Sequence, residues 1–121
     1  MTIEPARQAS LVSMFLAQAA SRPDRPFLWR RDRGEWSART WSECRREVSE
    51  AYRGLRSLGL ARGDRVVLVS ENRPEWLLAD LAIMATGCST VPAYTTNTVE
   101  SHRHVLSNTK ARGAIVSTPA L

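Results

Sequence analysis

The chain has 121 residues, of which 43% are apolar and 24% are charged. These are ordinary values for a folded domain, so they argue against a disordered chain. The formal net charge is +5, and the whole excess lies in residues 1–62, which hold 12 arginines and 7 acidic residues. Acidic residues interleave with these arginines, which favours a solvated surface over a patch for nucleic acid or anionic lipid.

The first predicted element is an amphipathic helix at residues 10–21, after a loose terminus at residues 1–9. Ser13 and Gln18 interrupt its apolar run, which favours a helix over a signal peptide. The apolar residues expected on its buried face are Leu11, Met14, Phe15 and Ala19. No apolar run in the chain reaches the roughly 18 residues of a membrane-spanning helix.

A β-hairpin is predicted next. Residues 27–30 and 35–38 have strand character, and residues 32–34 between them form a turn signal. The tryptophans of the two strands, Trp29 and Trp36, are expected to face the core, and so not to form an exposed platform with arginines.

The following helix begins at a capping box, in which Thr40 and Glu43 satisfy each other's backbone N–H groups. Apolar residues then recur at helical spacing, and Gly59 provides a natural end. The residues of this predicted buried stripe are Trp41, Cys44, Val48, Ala51, Tyr52, Leu55 and Leu58.

The second half of the chain begins with a β-branched run at residues 65–70, which is typical of a strand covered on both faces. A helix follows, with Pro74 near its start, and the apolar residues 76–85 predict burial on nearly all sides. Residues 89–94 form a short strand, and Pro92 indicates either that this strand lies at a sheet edge or that the proline is near the strand's end.

The polar loop 95–98 caps a third helix at about residues 99–108, and residues 113–117 form the final strand. The order from residue 63 onward is therefore βαβαβ, which predicts an α/β fold with a parallel, doubly wound sheet. Residues 10–62 supply the helix, hairpin and amphipathic helix that precede it.

The two cysteines, Cys44 and Cys88, occupy apolar positions in their elements. This placement indicates buried, reduced thiols in a cytoplasmic protein rather than a disulfide framework.

Common catalytic and metal-binding patterns are missing from the sequence. Gly59 and Gly63 flank a helix-to-strand turn, which is the wrong order for a phosphate-binding loop. His102 and His104 stand two residues apart on a helix, so they point to nearly opposite faces and are expected to be ordinary surface or core-edge histidines. No serine or threonine stands in a recognisable nucleophile motif.

One set of residues could line a ligand site. Ligands of doubly wound sheets bind beyond the carboxyl ends of the strands. The residues predicted there are 70–72, 94–97 and 117–118, which are polar and rich in hydroxyl groups. We expect them to form part of a cleft wall, although helix capping alone would also select Ser, Thr and Asn at these positions.

Four ordered landmarks resemble the beginning of the AMP-forming acyl-CoA synthetases of the adenylate-forming superfamily. They are "GLRSLGL", "RGDRVVLVSENRPEW", the helix ending in "ATG", and "VPAYTTNT". The resemblance covers about residues 23–117, and "ENRPEW" and "PAYTTNT" look most like the bacterial long-chain fatty acid branch. Residues 1–121 would then be part of the large N-terminal AMP-binding domain.

The resemblance implies that the parent enzyme joins a fatty acid to coenzyme A, using ATP and Mg²⁺. It implies no nucleic-acid partner, and it allows a homodimer and a peripheral contact with a membrane. The family's phosphate loop and catalytic lysine do not occur in this sequence, so no catalytic, cofactor-binding or metal-binding residue is transferred and the segment alone is expected to be inactive.

Two other functions remain open from the sequence. The βαβαβ unit could form a stand-alone, flavodoxin-like module for a small ligand. The charge of +5 could instead serve a basic surface that binds nucleic acid or membrane.

Overall fold

The computed structural model describes residues 10–121, so the expectation for residues 1–9 lies outside the described residues. Within this range the chain forms four helices and five strands. The helices are α1 (Leu11–Ser21), α2 (Trp41–Ser57), α3 (Pro74–Ala85) and α4 (Val99–Thr109). The strands are β1 (Pro26–Asp32), β2 (Glu35–Thr40), β3 (Arg65–Val69), β4 (Ser89–Ala93) and β5 (Gly113–Val116). The α/β prediction is therefore confirmed.

The amphipathic helix α1 is buried only in its middle. Phe15 and Ala19 are buried, whereas Leu11 is 62% exposed, so the prediction of a buried Leu11 is wrong. The first turn of α1 is thus only partly covered, with Val12 and Met14 half-buried. The Phe15 ring lies 5.7 Å from Phe27 in β1, and Phe27 stacks on Trp41 of α2 with ring centroids 3.8 Å apart. These rings join α1, β1 and α2.

The hairpin of β1 and β2 closes through a two-residue turn. Arg33 and Gly34 have φ values of 50° and 84°, which fit the type I′ turn that matches strand twist. Asp32 pairs with Glu35, so it belongs to the strand and not to the turn as predicted.

The hairpin tryptophans correct a second prediction. Trp29 and Trp36 are 55% and 64% exposed, so they do not face the core. The physical reason is that the hairpin is a separate two-stranded sheet that packs on the body through one face only, where Leu28 contacts the core.

The helix α2 has the predicted capping box. Glu43 N–H donates to Thr40 Oγ1 at 3.2 Å, and Thr40 N–H donates to Glu43 Oε2 at 2.9 Å. Two residues after the last residue of α2, Gly59 has φ of 90°, and Leu60 N–H donates to the Leu55 carbonyl oxygen at 3.3 Å, which closes the end of the helix.

The predicted buried stripe of α2 is only partly correct. Cys44, Val48 and Leu55 are buried, but Ala51 is exposed and Leu58 is 80% exposed. Ala51 and Leu58 line an open groove of about 700 Å³ between α2 and α3 instead of being covered. Apolar spacing identifies the stripe but not how much of it a neighbour covers.

The larger sheet has the strand order β4-β3-β5, and all its pairs are parallel. The central strand β3 is buried from Val66 to Val69, which confirms that both its faces are covered. Val66 and Leu68 join the main core with side chains of α1, α2 and α3. Val67 and Val69 point to the opposite face. Pro92 lies in β4, at an edge of this sheet as predicted.

The two crossover helices lie on opposite faces of the sheet. The chain moves from β3 to β4 and then back past β3 to β5, and right-handed crossovers in opposite directions place α3 and α4 on opposite faces. The helix α3 buries Leu78, Leu81, Ala82 and Ile83, whereas α4 has no buried residue. The α4 side of the sheet is therefore covered by a helix that has no buried residue of its own.

Both cysteines are free and buried, as predicted. Burial raises the pKa of the Cys44 thiol to about 11, so this side chain stays protonated at neutral pH. Among the helices within residues 10–121, none is long and apolar enough to cross a membrane.

Candidate functional site

The three predicted cleft segments meet at the carboxyl edge of the larger sheet. Val69 ends the central strand and pairs with Ala93 on one side and with Val116 on the other. Residues 70–72 therefore lie between residues 94–97 and residues 117–118. The prediction that these segments come together is confirmed by the strand order. This edge is also where the strand order reverses, the place at which doubly wound sheets bind ligands.

A cavity of about 440 Å³ opens on the β4 side of this edge. Its lining residues are Ser70, Glu71, Asn72, Trp76, Pro92, Ala93, Tyr94 and Thr95. The wall combines carboxylate, amide and hydroxyl groups with the Trp76 ring. Such a mixture of an apolar surface with a few convergent polar groups is typical of small-ligand sites.

A second cavity, of about 230 Å³, opens on the β5 side of the same edge. Ser70 and Trp76 line both cavities, so the two adjoin across the end of β3. Arg73, Glu75 and Ser117 supply the polar part of this second wall. Sequence reasoning missed Arg73 and Trp76, although their position directly after the β3 loop was the available signal.

Two carboxylates near this edge have lowered pKa values. The pKa of Glu71 is lowered first by its own backbone N–H and then by the Ser117 hydroxyl. Burial opposes ionisation of Glu75, but its backbone N–H and hydrogen bonds from Arg73 and Arg39 outweigh that effect and lower its pKa to about 2. Glu75 also lies in the first turn of α3, where the helix dipole favours negative charge. Both side chains are therefore ionised at neutral pH.

Glu75 is the centre of a charge cluster that joins four elements, β1, β2, α2 and α3. Its Oε1 accepts from Arg39 Nη2 of β2 at 2.8 Å, and its Oε2 accepts from Arg73 Nε at 3.0 Å. Arg30 Nη1 of β1 lies 3.5 Å from Glu75 Oε1, and Arg39 Nη1 lies 3.2 Å from Glu47 Oε2 of α2. This charge cluster holds the start of α3, and with it the loop after β3, against the hairpin and α2.

Helix capping does not account for the residues after β3. The N-cap of α3 is Arg73, which makes no side-chain capping bond, and Ser70 Oγ instead donates to the Glu71 carbonyl oxygen at 2.9 Å. The N-cap of α4 is Thr98, whose hydroxyl accepts from Ser101 N–H at 3.1 Å. The polar residues 70–72 are therefore available to a ligand.

The two histidines do not form a shared site. His104 is exposed, whereas His102 is half-buried and lines a separate cavity of about 430 Å³ with Thr95 and Asn97. In the part of the chain that the structure describes, no three His, Cys, Asp or Glu side chains are grouped to hold a metal ion. The carboxyl edge can thus bind polar groups, and we assign no catalytic residue to it.

Comparison with known proteins shows the family. The family model described as "AMP-binding enzyme" matches residues 15–121. The chain is 37% identical over 102 residues to Long-chain-fatty-acid--CoA ligase FadD15 of Mycobacterium tuberculosis, a match that covers 84% of this chain and 17% of that protein. It is 32% identical over 106 residues to the mitochondrial Acyl-coenzyme A synthetase ACSM5 of Homo sapiens, covering 84% of this chain and 18% of that protein.

Solved structures agree with this result. The N-terminal subdomain of Klebsiella oxytoca NpsA, in complex with 3-hydroxyanthranilyl-AMSN, matches with a TM-score of 0.82 and 26% identity, over 92% of this chain and 28% of that one. The fatty acid AMP ligase from Legionella pneumophila matches with a TM-score of 0.85 over 95% of this chain and 21% of that one, and at 18% identity it supports the fold alone. The chain belongs to the AMP-binding enzyme family, and it spans less than a fifth of the length of the curated relatives named above.

Proposed function

We propose that this chain is the N-terminal part of an AMP-forming fatty acid–CoA ligase, in which it builds part of the sheet and one wall of the substrate cleft. The 37% identity with a long-chain fatty acid–CoA ligase over 84% of the chain carries this proposal. The hydroxyl-rich carboxyl edge of the sheet supports the assignment of a cleft wall.

The reaction of the whole enzyme has two steps. The fatty acid carboxylate attacks the α-phosphorus of magnesium-bound ATP, forming an acyl-adenylate as the bond to pyrophosphate breaks. The thiol of coenzyme A then attacks the acyl carbonyl carbon and loses its proton, which forms a thioester and releases AMP. Charge stabilisation dominates catalysis at phosphorus, so the enzyme must place positive groups around the phosphates.

Residues of this chain contribute positioning and not chemistry. The charge cluster around Glu75 fixes the loop that carries Glu71 and Asn72 at the cleft. The sole lysine of the chain, Lys110, lies at the end of α4 in a left-handed conformation. We therefore expect the chain alone to bind no ATP productively and to form no acyl-adenylate.

Three further properties remain proposals. Two free, buried cysteines support a cytoplasmic location for the enzyme. A homodimer and a peripheral contact with a membrane follow from the resemblance, without an assigned surface.

A chimera tests the proposed role. The chain would replace the matched segment of the mycobacterial ligase, and acyl-CoA formation from a long-chain fatty acid, ATP and coenzyme A would be measured. We expect the chimera to form acyl-CoA and the chain alone to form none. Release of pyrophosphate that depends on added fatty acid would measure the first step, formation of the acyl-adenylate, separately.

The Glu75→Gln substitution provides a second arm of this experiment, because it weakens the cluster that positions the loop after β3. We expect it to lower turnover of the chimera about tenfold, since small misplacements of a cleft wall have effects of that order or more. Glu50→Gln, on the exposed face of α2, is the matched control and should leave turnover unchanged. A folded chimera without acyl-adenylate formation would contradict the proposal.

A further inference from the structure

The outer face of the β1–β2 hairpin carries an unusual group of side chains. Antiparallel pairing joins Trp29 to Ala38 and Arg31 to Trp36, and alternation places these four residues on one face. All four are exposed, and the tryptophans are 55% and 64% exposed. We refer to these four residues as the Trp–Arg face.

The Trp–Arg face lies on the side of the hairpin opposite to the packed one, and Trp29 and Arg31 also border a cavity of about 540 Å³ beside the start of α3. The opposite face of the hairpin carries Leu28, which packs on the core, and Arg30 and Arg39, which contact Glu75. Because the inner face is held by these contacts, the tryptophans cannot turn inward without breaking them. Their exposure is therefore a fixed property of the fold.

The charge of the Trp–Arg face is positive. Arg31 Cζ lies 5.9 Å from the centroid of the Trp36 ring, and Arg33 stands at the turn beside it. Within the hairpin, the acidic residues Asp32 and Glu35 lie opposite each other on the inner face, and Glu71 of the loop after β3 borders the same cavity as Trp29 and Arg31. The outer face thus combines two large amphipathic rings with arginine and has no carboxylate among its four members.

We propose that the Trp–Arg face docks on the surface of an anionic lipid bilayer. Tryptophan favours the headgroup region, since its ring is apolar and its N–H group can still find a hydrogen-bond acceptor there. Arginine places its stem on apolar surface while its charge is attracted by anionic headgroups. The proposal assigns a surface to the membrane contact that is expected of the proposed ligase. Only that expectation rests on the proposed function.

The shape of the hairpin favours a bilayer over single-stranded nucleic acid. Proteins that bind single strands combine stacking rings with a basic groove that follows the backbone. The Trp–Arg face is one side of a two-stranded ribbon, and the cavity beside Trp29 and Arg31 includes the Glu71 carboxylate, so it is not a uniformly basic groove. A broad, flat partner therefore fits it better than a thread-like one.

Vesicle binding tests the proposal without ATP, fatty acid or coenzyme A, so its outcome is independent of catalysis. The chain would be sedimented with vesicles of pure phosphatidylcholine or with 30% phosphatidylglycerol. We expect binding to the anionic vesicles that weakens as salt rises, together with a blue shift of tryptophan emission. Quenching of that emission by brominated lipid would place the rings in the bilayer interface.

Two double variants separate the contributions. Trp29→Ser with Trp36→Ser should lower the partition coefficient at least tenfold and abolish quenching by brominated lipid. Arg31→Gln with Arg33→Asn should lower it about 30-fold, or about fivefold for each arginine. Asn is well suited to the positive φ of residue 33, so the second variant keeps the turn intact. Circular dichroism would verify the fold of both.

Matched controls lie elsewhere on the surface. Arg46→Gln with Arg53→Gln removes the same charge from the exposed side of α2, and Leu58→Ser removes an apolar side chain that is 80% exposed. Each should lower vesicle binding less than about threefold. Equal losses in controls and Trp–Arg variants would overturn the proposal, as would absence of binding to anionic vesicles. Binding of a single-stranded oligonucleotide through these residues, without lipid binding, would also overturn it.

Discussion

The two faces of the larger sheet differ sharply in how they are covered. On the α3 face, Leu68 and Ile83 are almost completely buried beneath contributions from α1 and α2. On the α4 face, no residue of α4 is buried, and Leu106 and Val116 are 42% and 43% exposed. One face is a finished core, whereas on the other only the central strand, at Val67 and Val69, is buried, beneath a helix that is itself exposed.

This difference in burial indicates which side of the sheet contributes most to the stability of the chain. Burial of apolar surface is the main favourable term in folding, so the α3 face should carry most of the free energy of unfolding. The helix α4 covers its face of the sheet but gains little from doing so, and its exposed apolar residues are suited to contact with further polypeptide. The relatives, which are several times longer, would supply such polypeptide.

The strongest test of the comparison uses one leucine from each face. Leu68→Ala should lower the free energy of unfolding by about 3–5 kcal/mol, since it removes buried methyl groups and leaves a cavity. Leu106→Ala, the matched change on the open face, should cost less than about 1 kcal/mol. Urea denaturation of both variants would measure the two losses. Similar losses would show that the faces are equally well packed.

The charge cluster gives the next largest effect. The pKa of Glu75 lies near 2 against an ordinary value of 4.5, so its contribution to stability is present above pH 4.5 and is lost as the pH falls toward 2. Its side chain is 40% exposed, so we discount the shift for solvent screening and expect about 1–2 kcal/mol.

Glu75→Gln should therefore lose about 1–2 kcal/mol at pH 7 and less at pH 3, as measured by urea denaturation. Glu50→Gln should change stability by less than about 0.5 kcal/mol at either pH. A loss at pH 3 as large as that at pH 7 would rule out the ion pairs as its cause.

Substitutions at the N-caps of α2 and α4 compare the two sides of the larger sheet locally. Thr40→Ala should cost about 1–2 kcal/mol, since it removes the hydroxyl that accepts from Glu43 N–H at the start of α2, a helix packed in the core, and leaves only the backbone bond from residue 40 N–H to Glu43 Oε2. Thr98→Ala should cost about 0.5–1 kcal/mol, because position N3 of α4 is Ser101, which offers no carboxylate in return. Thermal unfolding of both variants would rank them. A larger loss of stability from Thr98→Ala than from Thr40→Ala would contradict this ranking.

The smallest expected effect concerns the end of α4. Lys110 has φ of 52° at a position where α2 has Gly59, and a side chain disfavours this conformation. Lys110→Gly should raise the free energy of unfolding by about 0.5–1 kcal/mol. Arg103→Gly, inside the same helix, should lower it by about 1 kcal/mol. Destabilisation by Lys110→Gly would show that the lysine side chain itself stabilises the turn.

Sequence patterns predicted what depends on neighbours along the chain. The capping box at Thr40, the turn at Gly59 and the burial of β3 are local consequences of residue type, and the structure confirms each of them. The cleft segments could also be predicted, because parallel strands bring their carboxyl ends to one edge.

The features that sequence reasoning missed depend on what covers an element. Ala51 and Leu58 continue the apolar stripe of α2, but α3 covers only part of it. Trp29 and Trp36 have the composition of core strands, yet the hairpin has a single packed face. The charge cluster joins residues 36 positions apart, Arg39 and Glu75, and no local pattern indicates such a pairing.

Hydrogen exchange compares the two faces most directly, measured for α3 and α4 in the chain alone and in the chimera with the mycobacterial ligase. If the open face is completed by the rest of an AMP-binding enzyme, amide protection in α4 should rise at least tenfold in the chimera, which corresponds to about 1.4 kcal/mol. Protection in α3 should be high in both. Equal protection of α4 in the two proteins would contradict the account.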